Sequence, residues 1–314
     1  MVEIIDLDDC ALSDRDGMYG GMAGLKDGIL YKGEYWIVKY PKSTNDMDVV
    51  GLSYTTAPLS EYIGSHIYEI LGHEVHKTFL GIRNGKLVVA CKDFCTDGQI
   101  LLEVRTIKNA VNPEMAELLE RDFSSTGSSH FVDMEELLLH LDNNRILGKV
   151  DGVRERFWDC VVIDALINNN DRNNGNWGIL RKAGVDKLAP IFDNGASFSN
   201  KVPDDRLKRY LQDTEKLKNS SLNTTTTFEY KGKPLTVRKM FELENPDFQE
   251  AVLRNVPRII EKFTEICAFI DSIPVEYNGI IVCAPERAAF YKKSMECRLE
   301  HIFIPCYEKL MFSL

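Results

Sequence analysis

The segment of residues 168–178 constrains this chain more than any other, because every residue in it except Arg172 and Trp177 is Asn, Asp or Gly. Such residues tolerate turn and left-handed backbone conformations, and Asn and Asp side chains offer oxygen atoms as ligands. The segment directly follows a stretch, residues 153–168, whose second half is apolar almost all round and predicts a buried helix. A buried helix therefore delivers an oxygen-rich loop to a fixed place in the fold.

A second carboxylate follows this loop along the chain. An apolar stretch, residues 189–192, ends at Asp193 just before a flexible turn. Asp171, Asn176 and Asp193 together offer the hard oxygen atoms that Mg²⁺ prefers. With such an ion, the first carboxylate can orient or deprotonate a hydroxyl while the metal neutralises charge on a transferring phosphoryl group. The alternative is an Asn-rich turn held by its own hydrogen bonds, since a D-x-x-x-x-N spacing often occurs by chance.

Two charged residues near the loop have a structural role as the alternative to catalysis. Arg172 could contact a phosphate or the substrate, or it could form a salt bridge that supports the fold. For Asp164, on the buried helix, we favour a hydrogen-bonded support for the loop over direct catalysis.

A group of glycines, Gly20, Gly21 and Gly24, precedes the first clear strand signal. Close glycines let backbone N–H groups approach phosphates, although an ordinary glycine turn has the same composition. The segment is not a Walker A loop, because no Gly-Lys-Ser/Thr follows.

Lys39 lies within a predicted strand, in the run I-V-K-Y. Because side chains alternate along a strand, Lys39 shares a face with Ile37, and it needs an anionic partner if that face points into a cleft. Glu61, at the start of the following helix, is the candidate partner. The alternatives are that Lys39 extends into solvent, or that Lys42, which we expect to be exposed, is the functional lysine.

Strand signals dominate residues 1–92. A hairpin with its turn at Lys32-Gly33 comes first, and a second hairpin has its turn at Asn84-Gly85. Between them, an apolar pattern predicts one helix, which Ser60 would cap.

Helix signals dominate residues 93–314. Helices are predicted for residues 131–141, 153–168, 257–273 and 285–314, the last broken at Pro305, and the polar run 219–227 is predicted as an exposed loop. The fold class is therefore α+β, with a small β-rich N-lobe carrying one helix (1–92) and a larger helical C-lobe (93–314).

Charge and hydropathy exclude several classes of protein. The formal net charge of −10 argues against a nucleic-acid partner, which would need clustered Lys and Arg. The N-terminus is acidic where a secretory signal is basic, and no apolar run approaches the roughly 18–20 residues of a membrane span. The eight cysteines then indicate reduced thiols. We expect a cytoplasmic protein with no membrane span, while export without a cleaved signal would leave no trace in the sequence.

Taken in order, these features resemble a protein kinase, and in particular the HipA-like serine/threonine kinases of the compact CtkA type. The resemblance runs from about residue 17 to 200. It is carried by the glycine loop 20–24, the I-V-K of residues 37–39, the S-E-Y of 60–62, the V-V-A-C-K-D-F of 88–94, the loop 171–176 and the I-F-D of 191–193. Beyond residue 200 only the general helical character matches.

This resemblance implies a two-lobed protein-kinase-like fold and an ATP- and Mg²⁺-dependent serine/threonine protein kinase that acts on a protein substrate of unknown identity. It implies that Lys39 holds the α- and β-phosphates of ATP and pairs with Glu61. The implied set of nucleotide-binding residues is Gly20, Gly21, Gly24, Lys39, Glu61 and, through backbone groups at the hinge, Lys92 and Phe94. Asp171 would be the catalytic base, and Asn176 and Asp193 would ligate Mg²⁺.

The chain departs from the family pattern at three places. Asn173 stands where the family often has His, and Asn194-Gly195 follows Asp193 where ordinary eukaryotic kinases have Phe-Gly. The stretch before Gly20 is too short for the N-terminal subdomain of toxin members, which argues against an antitoxin partner.

Other functions share parts of this pattern. A kinase-like enzyme acting on a lipid or small-molecule alcohol would use the same site geometry, and transfer of an adenylyl group is a remoter alternative. A nucleotide-binding pseudokinase is a further alternative. The joint presence of Lys39, Glu61, Asp171, Asn176 and Asp193 argues against it, because a pseudokinase has no need of all five.

Overall fold

The computed structural model describes residues 2–18, 25–47, 51–110, 113–122 and 131–313. The predicted glycine loop, with Gly20, Gly21 and Gly24, lies outside the described residues.

The N-terminal part of the chain is a β-sheet with one helix packed across it. Its elements are β1 (Ile5–Asp6), β2 (Lys26–Tyr31), β3 (Glu34–Lys39), α1 (Ala57–Ile70), β4 (Thr78–Arg83) and β5 (Lys86–Lys92). Among the described residues the strand order is β1-β4-β5-β3-β2, with β1 parallel to β4 and the other neighbours antiparallel. α1 packs against β4 and β5 and buries Leu59, Ile63 and Ile67.

Both predicted hairpin turns are present. Lys32 and Gly33 join β2 to β3, and Asn84 and Gly85 join β4 to β5. All four have positive φ angles, of 50°, 79°, 52° and 66° in that order. Two successive residues with positive φ form the tight turn whose twist matches that of the flanking strands. The hairpins therefore follow directly from the local sequence.

The predicted capping of α1 by Ser60 is wrong. The helix begins at Ala57, and Pro58 in its first turn supplies the fixed φ angle that suits a helix start. Ser60 lies inside the helix and is buried.

The C-terminal part is mainly helical and includes small sheets. Its elements are β6 (Ile100–Glu103), α2 (Val104–Lys108), α3 (Pro113–Asp122), β7 (Val132–Asp133), α4 (Met134–Asn143), α5 (Val153–Ile167), β8 (Gly178–Lys182), β9 (Val185–Leu188), α6 (Asp204–Leu211), α7 (Thr214–Leu222), β10 (Thr225–Tyr230), β11 (Lys233–Thr236), α8 (Val237–Met240), α9 (Pro246–Asp271), β12 (Glu276–Tyr277), β13 (Ile280–Ile281), α10 (Pro285–Arg298) and α11 (Ile304–Met311). Within the described ranges, these strands form the sheets β6-β8-β9, β11-β10-β7 and β12-β13.

α5 is the central helix of this part, as its apolar sequence predicts. Every residue from Phe157 to Ile167 is buried, and the helix packs against α9 and α10. The oxygen-rich loop begins where α5 ends, so the core fixes the starting point of that loop.

Two predictions in this part are wrong. Residues 219–227 are not an exposed loop, because they complete α7 and begin β10, with Ser221 and Leu222 buried. α9 begins at Pro246, after Asn245 accepts a hydrogen bond of 3.0 Å from the Phe248 N–H, and Pro257 lies inside the helix.

The predicted break near Pro305 is present. A short π-helix, Leu299–Phe303, separates α10 from α11, and Pro305 lies in the first turn of α11. In the part of the chain that the structure describes, no helix is long and apolar enough to cross a membrane.

Candidate active site

A cleft of about 940 Å³ lies where β3 and α1 face the loops that follow α5 and β9. Its walls bring together Lys39, Glu61, Asp171, Asn176 and Asp193, which are separated by up to 154 residues along the chain. These are the five residues that the sequence pattern selects for phosphate, metal and hydroxyl chemistry.

Lys39 is the last residue of β3, and strand alternation directs its side chain away from the core that Val38 joins. Its ammonium lies 3.2 Å from Glu61 Oε2 and 3.0 Å from Asp193 Oδ1. Burial disfavours the charged form of Lys39, but Asp193 and Glu61 outweigh this effect and raise the pKa of the ammonium well above its usual range. Lys39 is therefore a positively charged group held beside the buried Glu61 carboxylate.

Glu61 is almost fully buried at 1% exposure. Burial would raise the pKa of its carboxyl, but Lys39, His76 and the backbone N–H of Asn194 lower it below the usual range. His76 Nε2 lies 2.9 Å from Glu61 Oε1, on the side opposite the lysine contact with Oε2. Each oxygen of the Glu61 carboxylate thus lies within 3.2 Å of a different basic side chain.

The loop after α5 is built from the side-chain to backbone hydrogen bonds that its composition predicts. Asn168 ends the helix in the left-handed conformation with a φ angle of 54°. The Asp171 N–H donates to Asn169 Oδ1 at 3.2 Å, and the Asp171 carboxylate accepts from Asn173 Nδ2 at 2.8 Å. Asn176 Nδ2 donates to the Asp171 carbonyl at 2.5 Å. The two alternatives for this loop, a turn held by its own hydrogen bonds and an oxygen-rich site, are therefore compatible with each other.

Arg172 and Asp164 form a buried ion pair beneath the loop, with Nε–Oδ2 and Nη2–Oδ1 distances of 2.8 and 3.0 Å. The Arg172 guanidinium also donates to the carbonyls of Asn176 and Phe192 and to Asn194 Oδ1. The structural alternative predicted for both residues is therefore the one that this geometry supports. A single guanidinium ties the Asp171 loop to the segment that carries Asp193.

The cleft lining includes the kinds of oxygen atom that bind a magnesium ion. Because Asn176 Nδ2 is engaged with the Asp171 carbonyl, the amide oxygen is the atom left for a ligand. Asp193 adopts the left-handed conformation with a φ angle of 61°, and its Oδ1 contacts Lys39 while Oδ2 makes no hydrogen bond within the described ranges. One or two carboxylates, one amide oxygen, and positions left for water and phosphate are the ligand set that Mg²⁺ prefers.

The two predicted hinge residues lie outside the lining of this cleft. The Lys92 N–H donates to the Lys77 carbonyl at 2.8 Å as part of the sheet, so only its carbonyl oxygen could face a nucleotide. The Phe94 ring contacts the Phe192 ring, with centroids 5.6 Å apart, which places the hinge beside the segment that carries Asp193.

Sequence reasoning missed three polar residues at the site. Lys26 lines the cleft and lies directly opposite Lys39 in the β2–β3 register, which the two-residue turn at Lys32-Gly33 could have predicted. His76 and Ser65 lie behind Glu61, and no local pattern indicates them because the contacts depend on how α1 packs on the sheet.

Comparisons with known proteins agree with this architecture. No family model matches the chain. It is 32% identical over 276 residues to the serine/threonine-protein kinase CtkA of Helicobacter pylori strain J99, covering 86% of this chain and 79% of that protein. The crystal structure of a Helicobacter pylori proinflammatory kinase CtkA matches with a TM-score of 0.83 and 27% identity, over 98% of this chain and 99% of that one. HipA of Shewanella oneidensis MR-1, solved with HipB and operator DNA, matches at a TM-score of 0.49 and 12% identity, over 93% of this chain and 69% of that one.

The identity and the coverage of the first two matches confirm the predicted fold class, a β-rich N-lobe followed by a helical C-lobe. They also confirm the predicted class of enzyme, a phosphotransferase. The chain belongs to the CtkA-type serine/threonine-protein kinases.

Proposed function

We propose that this chain is an ATP- and Mg²⁺-dependent serine/threonine protein kinase, which transfers the γ-phosphate of ATP to a protein hydroxyl, including hydroxyls of its own chain. The observation that carries the proposal is the cluster of Lys39, Glu61 and Asp193 in the same cleft as Asp171 and Asn176. A fixed cation, an oxygen-rich metal site and an accessible carboxylate are the parts that phosphoryl transfer requires.

The contacts of each residue in the cleft indicate a different role in phosphoryl transfer. Asn176 and Asp193 would hold Mg²⁺, which when bound neutralises charge on the transferring phosphoryl group. Lys39, still paired with Glu61, would direct its ammonium to the α- and β-phosphates once Asp193 serves the metal. Asp171, whose side chain is exposed, would accept a hydrogen bond from the substrate hydroxyl and orient it for attack. The buried Arg172–Asp164 pair supports the loop that carries Asp171.

The hinge would bind adenine through backbone groups that the sheet leaves available. Within the part that the structure describes, the Phe94 N–H makes no hydrogen bond, and the Lys92 carbonyl lies two residues before it. Adenine presents a donor and an acceptor side by side, so a carbonyl and an N–H two residues apart on the hinge would form a matched pair of partners.

Labelling with ATP carrying ³²P at either the α or the γ position tests the proposal. We expect label from γ-³²P ATP, and none from α-³²P ATP, on serine or threonine of this chain or of a generic acceptor protein, because the proposed roles of Asp171 and the metal would direct attack to the terminal phosphoryl group. Chelation of Mg²⁺ should abolish the labelling. The Asp193→Ala protein, purified in parallel, is the control for a contaminating kinase and should carry no label.

Other outcomes would select the alternatives. Label from the α position would indicate adenylyl transfer, and label on a lipid or small alcohol alone would indicate a different acceptor. A thermal shift with ATP and Mg²⁺ but no transfer to any acceptor would favour a pseudokinase.

A further inference from the structure

His76 precedes β4 and is buried at 5% exposure, although it belongs to none of the groups assigned above to substrate or metal. Its Nε2 lies 2.9 Å from Glu61 Oε1 and 3.1 Å from Ser65 Oγ. Ser65 is one helical turn after Glu61 on α1, so the imidazole faces two successive turns of the same helix. The imidazole therefore lies where it can fix the orientation of the Glu61 carboxylate.

The backbone of His76 is attached to the opposite side of the cleft. Its N–H donates to the Ile191 carbonyl at 3.0 Å, and the Ile191 N–H donates to the Glu74 carbonyl at 2.9 Å. Ile191 lies two residues before Asp193. His76 thus contacts Glu61 through its side chain and the segment that carries Asp193 through its main chain.

The side chains continue this connection through the buried interior. Asn194, with 0% exposure, donates from Nδ2 to Ser65 Oγ at 3.0 Å, and its Oδ1 accepts from Arg172. Gly64 leaves the space for this approach, since a Cβ there would lie 2.8 Å from the Asn194 Cβ. A continuous polar chain therefore runs from Lys39 to the Asp171 loop through Glu61, His76, Ser65, Asn194 and Arg172.

We propose that His76 is a positioning residue for phosphoryl transfer: its imidazole holds the Glu61 carboxylate that orients Lys39, and it couples that pair to the segment carrying Asp193. This inference rests on the kinase function proposed above. Without the imidazole 2.9 Å away, the buried Glu61 carboxylate is free to reorient or to recruit another group. A small displacement at a phosphoryl-transfer site lowers the rate. His76 itself would touch neither the nucleotide nor the acceptor hydroxyl.

The test compares His76→Gln with His76→Asn. Both side chains are neutral amides, but only glutamine is long enough to place an N–H near the position of Nε2. We expect His76→Asn to lower kcat for γ-phosphate transfer by about 10- to 100-fold with a smaller change in KM for ATP. His76→Gln should retain at least about a third of the kcat, because a donor to Glu61 remains.

His140 offers a matched control. It is buried at 1% exposure, it lies 3.6 Å from Glu136, and it is on α4, away from the cleft lining. His140→Asn and His140→Gln should both lower the midpoint of thermal unfolding, and the two variants should have equal kcat values. If His140→Asn had a much lower kcat than His140→Gln, as expected for the His76 variants, the effect would be general to buried histidines and the inference would be overturned.

A double-mutant cycle with Glu61→Gln completes the test. In the Glu61→Gln background, His76→Asn should change kcat by less than about threefold, because the carboxylate that His76 positions is gone. Equal kcat values for the two His76 variants, or full additivity in the cycle, would overturn the inference while leaving an active wild-type kinase. A wild-type chain that transfers no phosphate would overturn the proposed function and this inference together.

Discussion

Replacing Asp171 with asparagine is expected to lower kcat for γ-phosphate transfer by about 10²- to 10⁴-fold while the fold remains intact. The asparagine keeps the size of the side chain but removes the carboxylate that would orient and deprotonate the hydroxyl. Asp171 is exposed, and its backbone bonds to Asn169 and Asn176 do not depend on the carboxylate, so stability should change little. Initial rates with γ-³²P ATP, together with a thermal melt of the same sample, measure both effects.

Asp205→Asn is the matched control for this experiment. Asp205 is an exposed carboxylate in the first turn of α6 and does not line the cleft. Its replacement should leave kcat within about twofold, as expected for a surface change. If Asp171→Asn transferred phosphate as fast as Asp205→Asn, Asp171 would not be the catalytic base.

Replacing Arg172 with methionine is expected to lower the free energy of unfolding by about 3–5 kcal/mol. The substitution removes the partner of the buried Asp164, which then keeps the hydrogen bonds from Tyr68 Oη at 2.8 Å and Asn169 Nδ2 at 3.0 Å. It also leaves the Phe192 carbonyl and Asn194 Oδ1 without the guanidinium. Chemical denaturation followed by circular dichroism measures the loss.

The control is Arg181→Met, which breaks the ion pair with Asp186 on the β8–β9 hairpin. That pair has bonds of 2.6 and 2.7 Å, but the Arg181 side chain is 37% exposed. Water replaces the lost partner at such a site, so the cost should stay within about 1 kcal/mol. Equal losses for the two variants would show that the Arg172 network contributes no more than a surface pair.

The parts of the site that sequence predicts are those that depend on local pattern. Strand alternation and the need for a counter-charge select Lys39 and Glu61, and composition selects the loop with Asp171 and Asn176. His76 and Ser65 could not be predicted in this way. Their contacts depend on how α1 packs on the sheet, which no short pattern encodes.

The errors in the fold have similar causes. The polar composition of residues 219–227 predicts a loop, but the Ser221 carbonyl accepts a hydrogen bond of 2.8 Å from the buried Arg298 Nε, a partner 77 residues away. A proline often marks the start of a helix, and Pro257 is therefore predicted to start this one. The helix instead begins at Pro246 with Asn245 as its cap, and Pro257 lies inside it. In both cases a tertiary contact or a distant cap outweighs the local preference.

A crystal structure with a non-hydrolysable ATP analogue and Mg²⁺ would locate the nucleotide, the metal ion and the catalytic carboxylate in one experiment. We predict a metal ion about 2.1 Å from Asn176 Oδ1 and from an Asp193 carboxylate oxygen. The Lys39 ammonium should contact the α- and β-phosphates, and the γ-phosphate should face Asp171. A nucleotide bound outside this cleft, or a metal ion that contacts neither Asn176 nor Asp193, would show that these residues do not form the kinase site.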